Sequence, residues 1–109
     1  MPFRRAVLRA AALPRAPTGL VASEITATSV RLNWAMSGEE PVESYVVQYK
    51  RKYAPGVVYD EVPDVHGTDH KVEGLSAYTP FEFRVLAVNN IGRGLPSNPL
   101  DVATGETRT

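Results

Sequence analysis

His66 and His70 stand four residues apart, flanked by Asp64 and Asp69. On a helix this spacing would set both imidazoles on one face, as zinc sites use. Gly67 and Thr68 between them mark a turn joining two strands, and a turn supplies no fixed ligand geometry. Exposed loop histidines and no metal are therefore expected. The chain has no cysteine, which excludes a thiolate zinc site, a disulfide and a cysteine nucleophile. Serines, histidines and aspartates are present, but no Gly-x-Ser-x-Gly elbow positions them as a triad. The paired carboxylates Glu39-Glu40 and Asp60-Glu61 fall in a turn and on an edge strand, where solvation is expected rather than proton transfer. Gly92-Arg93-Gly94 is too short to cradle a phosphate and has no strand-to-helix setting. No catalytic residue, cofactor or metal ligand is assigned.

The remaining chemistry is that of binding. Lys50-Arg51-Lys52 is the one basic cluster of the body, placed to blunt a sheet edge or to meet an acidic partner such as heparan sulfate. Tyr53, Val57, Val58 and Tyr59 follow it as an apolar and aromatic stretch. Tyr is favoured in protein interfaces for its broad amphipathic surface, although packing beneath a loop would use the same residues. With Arg93 from a later loop, the candidate partner surface is Lys50, Arg51, Lys52, Tyr53, Tyr59 and Arg93. Asn33, Asn89, Asn90 and Asn98 all fail the Asn-x-Ser/Thr pattern, so no N-linked glycan is expected.

Net charge narrows the partners. The 12 basic and 12 acidic residues cancel over the chain, but not evenly. Arg4, Arg5, Arg9 and Arg15 make the first 15 residues +4, which leaves residues 16–109 with 8 basic and 12 acidic groups, net −4. A mildly acidic body argues against nucleic acid, whose binders carry a basic footprint. No apolar run approaches the ~20 residues of a membrane span, so membrane insertion by this domain is not expected. Protein partners and a monomeric state in isolation are.

The elements that must position these residues are strands. Val30, Leu32 and Trp34 alternate with Ser29, Arg31 and Asn33. Tyr45, Val47 and Tyr49 alternate with Val46, Gln48 and Lys50, and Phe81, Phe83, Val85 and Ala87 with Glu82, Arg84 and Leu86. Period-two alternation of this kind marks half-buried strands. Weaker runs cover Leu20 to Ile25, Val57 to Val62 (stopped by Pro63), Asp69 to Glu73 with Val72 inward, and Leu100 to Thr104. No helical period appears after Pro17. Seven short strands separated by turns predict an all-β, seven-stranded antiparallel β-sandwich of the immunoglobulin-like kind. The expected core is Leu20, Leu32, Trp34, Tyr45, Val47, Leu75, Phe81, Phe83 and Val85, anchored by the single Trp.

Residues 1–15 differ from all that follows. Arg9 interrupts any secretory h-region. The Arg-rich, acid-free composition fits a flexible leader: a linker, a cloning remnant or a targeting segment. Ala6 to Leu13 favours a transient helix, which Pro14 and Pro17 would end. The expected division is a leader at 1–15, one domain at 16–106 and a tail at 107–109.

Specific positions then match a family. Pro17 and Leu20, Ser29-Val30-Arg31-Leu32-Asn33-Trp34, Tyr45-Val46-Val47-Gln48-Tyr49, Gly74-Leu75, Thr79, the run Phe81 to Asn89, and Gly92, Gly94 and Ser97 resemble a fibronectin type III domain across about 90 residues. Two positions depart from the usual pattern. Ala77 stands where Pro is common, and Phe81 stands where a Tyr forms the tyrosine corner, so the corner's hydroxyl bond is expected to be lost. Phe83 to Gly94, with Ala27-Thr28-Ser29-Val30 and Glu40-Pro41-Val42, most resembles a repeat from the ectodomain of LAR-type receptor protein tyrosine phosphatases; neural adhesion molecules carry similar stretches. The resemblance implies a non-catalytic spacer and protein-binding module on the extracellular side of a plasma-membrane receptor. Any phosphatase chemistry would sit in a separate cytoplasmic domain. The competing expectation is an intracellular module of the same fold, as in muscle scaffolds, which the lack of a clear signal peptide permits.

Overall fold

The computed structural model describes residues 12–105; most of the leader, with its proposed helix, and the 107–109 tail lie outside the described residues. Seven strands form in chain order: β1 (Thr18–Ser23), β2 (Val30–Ala35), β3 (Ser44–Arg51), β4 (Asp60–Val65), β5 (Asp69–Val72), β6 (Pro80–Val88) and β7 (Leu100–Ala103). They make two antiparallel sheets, β1-β2-β5 and β4-β3-β6-β7. This is the expected all-β sandwich of seven strands, and no helix occurs among the described residues.

Alternation decides which face each strand buries. Val30, Leu32 and Trp34 of β2 are buried and face Phe81, Phe83, Val85 and Ala87 of β6 through one apolar core, joined by Tyr45, Val47, Val65, Val72, Leu75 and Val102. Trp34 meets the Tyr45 ring edge-on at 5.4 Å between centroids, the arrangement that the ring quadrupoles favour. Of the expected core, Leu20 alone is only half-buried. It packs against the core from β1, beside a bulge at the edge of its sheet. There the register slips between Thr18 and Val21, where Gly19 adopts a φ of 67°.

The fourth strand differs from expectation. It begins at Asp60 instead of Val57 and continues through Pro63 to Val65. Pro63 is tolerated because β4 is an edge strand, whose outer N–H positions need no partner. The ladder slips between Tyr45↔Val65 and Val47↔Val62, and Asp64 takes a φ of 59° in the slipped stretch. This bulge and the proline together blunt the edge against pairing with another chain. Val57, Val58 and Tyr59 consequently belong to the β3–β4 loop.

Alternation also predicts an exposed outer face for β3 and β6, yet Val46, Gln48 and Leu86 are buried there. They lie on the two central strands of the four-stranded sheet, and Gln48 is held there by Glu61 of β4 and Arg84 of β6.

The corner before β6 is held without a tyrosine. Phe81 is buried. The Thr79 hydroxyl donates to the Ala77 carbonyl at 2.8 Å, and the Thr104 hydroxyl donates to the Ser76 carbonyl at 2.6 Å. Thr104 Oγ1 also accepts from the Thr79 amide at 2.9 Å. Two threonines thus tie down the carbonyls that precede β6.

Candidate interaction surface

The outer face of the four-stranded sheet carries a hydrogen-bonded row of polar side chains. Register sets Gln48 of β3 opposite Glu61 of β4 on one side and Arg84 of β6 on the other. Gln48 Nε2 donates to Glu61 at 2.8 Å, and Arg84 Nε donates to Gln48 Oε1 at 2.6 Å. Arg93, from the β6–β7 loop, grips Glu61 with both terminal nitrogens at 2.8 and 3.1 Å. This fork geometry gives the strongest kind of charge-assisted bond. The Arg93 guanidinium first, and the Gln48 amide second, hold the Glu61 carboxyl down to about 2. Tyr59 lies under the Arg84 guanidinium, 4.0 Å from ring centroid to Cζ, and its hydroxyl donates to Glu82. That bond to Glu82 pushes the Tyr59 phenol up.

The three side chains of the basic cluster turn to different partners. The Lys50 ammonium turns back to the carbonyls of Arg51 and Lys52. Arg51 donates to the Ser76 hydroxyl at 2.7 Å. Lys52 pairs with Asp101 of β7 at 2.6 Å, and this bond raises its pKa. Lys52 alone of the three is ion-paired, while Lys50 and Arg51 bond neutral groups.

Tyr53 has a different character. The residue is 80% exposed, with Val57 at 82% and Val58 at 84% in the same loop. Lys52 Nζ lies 5.6 Å from the Tyr53 centroid. Beside the ring opens a shallow cleft of about 370 Å³ lined by Arg51, Tyr53, Ala54, Pro55, Thr79 and Pro80. Of the six candidate residues, Tyr53 alone offers a large free apolar face, while Tyr59 and Arg93 are spent on the sheet's polar row. Val57 and Val58 are exposed in the same loop as Tyr53 because β4 starts only at Asp60.

Elsewhere, His66 is exposed in the β4–β5 turn, while His70 is half-buried on β5 opposite Leu32, so only one of the pair is a loop histidine. Among the described residues no three His, Cys, Asp or Glu side chains gather as a metal site. Arg31 pairs with Asp69 and Glu24 across the outer side of the other sheet.

The sequence pattern of the fibronectin type III domain matches residues 15–103. The chain belongs to the fibronectin type III family. As such a module it is not itself a catalytic domain. It is 50% identical over 95 residues to receptor-type tyrosine-protein phosphatase F of Danio rerio, covering 87% of this chain and 5% of that protein. It is 48% identical over 102 residues to tyrosine-protein phosphatase Lar of Drosophila melanogaster, covering 94% of this chain and 5% of the relative. The fibronectin module thus spans about one twentieth of the length of these relatives. Among solved structures, a multidomain segment of titin superposes with a TM-score of 0.79 at 28% identity, over 86% of this chain and 33% of that one. The FN1-FN3 domains of chicken CNTN1 superpose with a TM-score of 0.75 at 26% identity, over 86% and 33% of the two chains.

Proposed function

We propose that the chain is one fibronectin type III repeat of the extracellular part of a LAR-type receptor tyrosine phosphatase, where it spaces neighbouring domains and offers the β3–β4 loop to a protein partner. The observation that carries this reading is the identity of 48–50% with receptor-type phosphatases of fish and fly across nearly the whole module. Titin reaches 28% with the same fold, so the intracellular scaffold reading is the weaker one. The phosphatase activity of such a parent resides outside these residues, in a domain that supplies the cysteine this chain lacks. The partner surface is centred on Tyr53, Val57 and Val58, because an exposed aromatic with flanking aliphatics gains most from desolvation. Heparan sulfate is a lesser proposal, since Lys52 is already neutralised by Asp101.

An epitope inserted after Gly56, at the tip of the exposed loop, tests the placement in the full-length parent. Antibody staining of intact, unpermeabilised cells is expected. Staining that requires permeabilisation would reject the receptor reading in favour of the scaffold one.

A further inference from the structure

Residues 12–15, assigned by composition to the leader, lie against the sandwich between the β2–β3 and β6–β7 loops. Pro14 is buried, although Ala12, Leu13 and Arg15 around it are exposed. Three contacts hold the segment. The Asn89 side chain, 5% exposed, donates from Nδ2 to the Ala12 carbonyl at 2.9 Å. The same amide's oxygen accepts from the backbone of Ile91 at 2.9 Å and Gly92 at 3.3 Å, so one side chain ties the incoming chain to the loop. Gly94 lets the backbones meet: a Cβ there would collide with the Pro14 carbonyl oxygen. Gly38, on the opposite side, leaves room for the Arg15 stem, which a Cβ would approach to 2.7 Å.

We infer that Ala12–Arg15 is a strap latched by Asn89 and Gly94, which fixes the direction in which the chain enters the module and makes its N-terminal side a stiff joint instead of a free swivel. The geometry favours this role over simple loop closure. Closing the β6–β7 turn needs only the Asn89 side-chain oxygen Oδ1, which accepts from the Ile91 and Gly92 amides, and the backbone pair Asn89–Gly92 at 3.1 Å. Among the described residues the Nδ2 donor serves the strap alone. Pro14 adds to the effect, because its fixed φ removes a rotation from the segment. A module that spaces domains at a set angle needs such a joint on the side where the preceding chain arrives. The inference stands apart from the receptor reading, since it concerns the module in any parent.

The substitution Asn89→Asp separates the two roles. It keeps the acceptor that caps the loop, removes the donor to Ala12 and sets a carboxylate against a carbonyl. Backbone ¹⁵N relaxation of the 109-residue chain reads the result. In the unmodified chain the Leu13 and Arg15 amides should have order parameters near the rigid value of about 0.85. In Asn89→Asp they should fall below about 0.6, the flexible range, while β2 and the Gly92 amide stay rigid. Gly94→Ala should displace the strap as well, with chemical-shift changes concentrated at residues 12–16. Order parameters below about 0.6 at Leu13 and Arg15 in the unmodified chain would overturn the strap. So would an Asn89→Asp chain whose residues 12–15 remain as rigid as before, and that variant decides the matter even if Gly94→Ala fails to fold.

Discussion

At the scale of single residues, the corner before β6 shows how one missing hydroxyl is offset by two others. The sequence marks Phe81 as a position that loses a hydrogen bond. The structure places the Thr79 and Thr104 hydroxyls on the carbonyls of Ala77 and Ser76. Thr104 is buried, at 3% exposure, and it serves both Ser76 and Thr79. Thr104→Val keeps the shape and strands two backbone groups, so it should cost about 1–3 kcal/mol. Phe81→Tyr should raise the melting midpoint, because it restores the hydroxyl that in a tyrosine corner bonds the backbone upstream. The rise should sit near the low end of the ~0.5–1.5 kcal/mol for a net hydrogen bond, since the loop is already tied. Thermal denaturation of the two variants beside the unmodified chain measures both. A midpoint unchanged in Thr104→Val would remove threonine from this role.

Strands were readable where alternation is strict and one face is wet. The bounds of β3 follow from its own residues, and the inward sets Val30, Leu32 and Trp34 of β2 and Phe81, Phe83, Val85 and Ala87 of β6 follow from period two. Two features were not readable. Pro63 looks like a strand terminator, and only membership of a sheet edge makes it acceptable inside β4. Val46, Gln48 and Leu86 sit at outer positions of the two central strands, and Gln48 is bonded there to Glu61, which Arg93 from a distant loop also grips. The candidate site suffered most from this. A run of Tyr and Val gives no sign of which rings stay free, and Tyr59 is captured by Glu82 and Arg84, partners over 20 residues away.

The Arg93–Glu61 bridge between the β6–β7 loop and β4 gives this scale its prediction. The folded Glu61 carboxyl lies at about 2 against an ordinary 4.5. A depressed folded pKa contributes stability that is complete above the unfolded value and is lost as pH falls toward the folded one. The contribution should therefore be present above pH about 4.5 and fade between there and pH about 2. The Glu61 side chain is 33% exposed and Arg93 49%, so solvent and salt reduce the bridge to at most about 1 kcal/mol. Arg93→Ala should lose up to that amount at neutral pH and flatten the acid limb of the stability profile. Urea titrations at a series of pH values check it, and an acid limb as steep as in the unmodified chain would count against the bridge.

For the whole molecule, charge and topology point the same way. The zero net charge joins a +4 leader to a −4 remainder, so the overall balance describes neither part. The cysteine-free core relies on packing around Trp34 and Phe83, where immunoglobulin-type sandwiches commonly add a disulfide. On rigid scaffolds of this kind, binding residues commonly lie on the loops. The most direct measurement is a binding screen of the module against a library of cell-surface ectodomains, repeated with Tyr53→Ala. The account predicts capture of at least one ectodomain, weakened about tenfold or more by Tyr53→Ala, with the melting midpoint unchanged. Capture of none, or capture with equal affinity by the Tyr53→Ala variant, would contradict it.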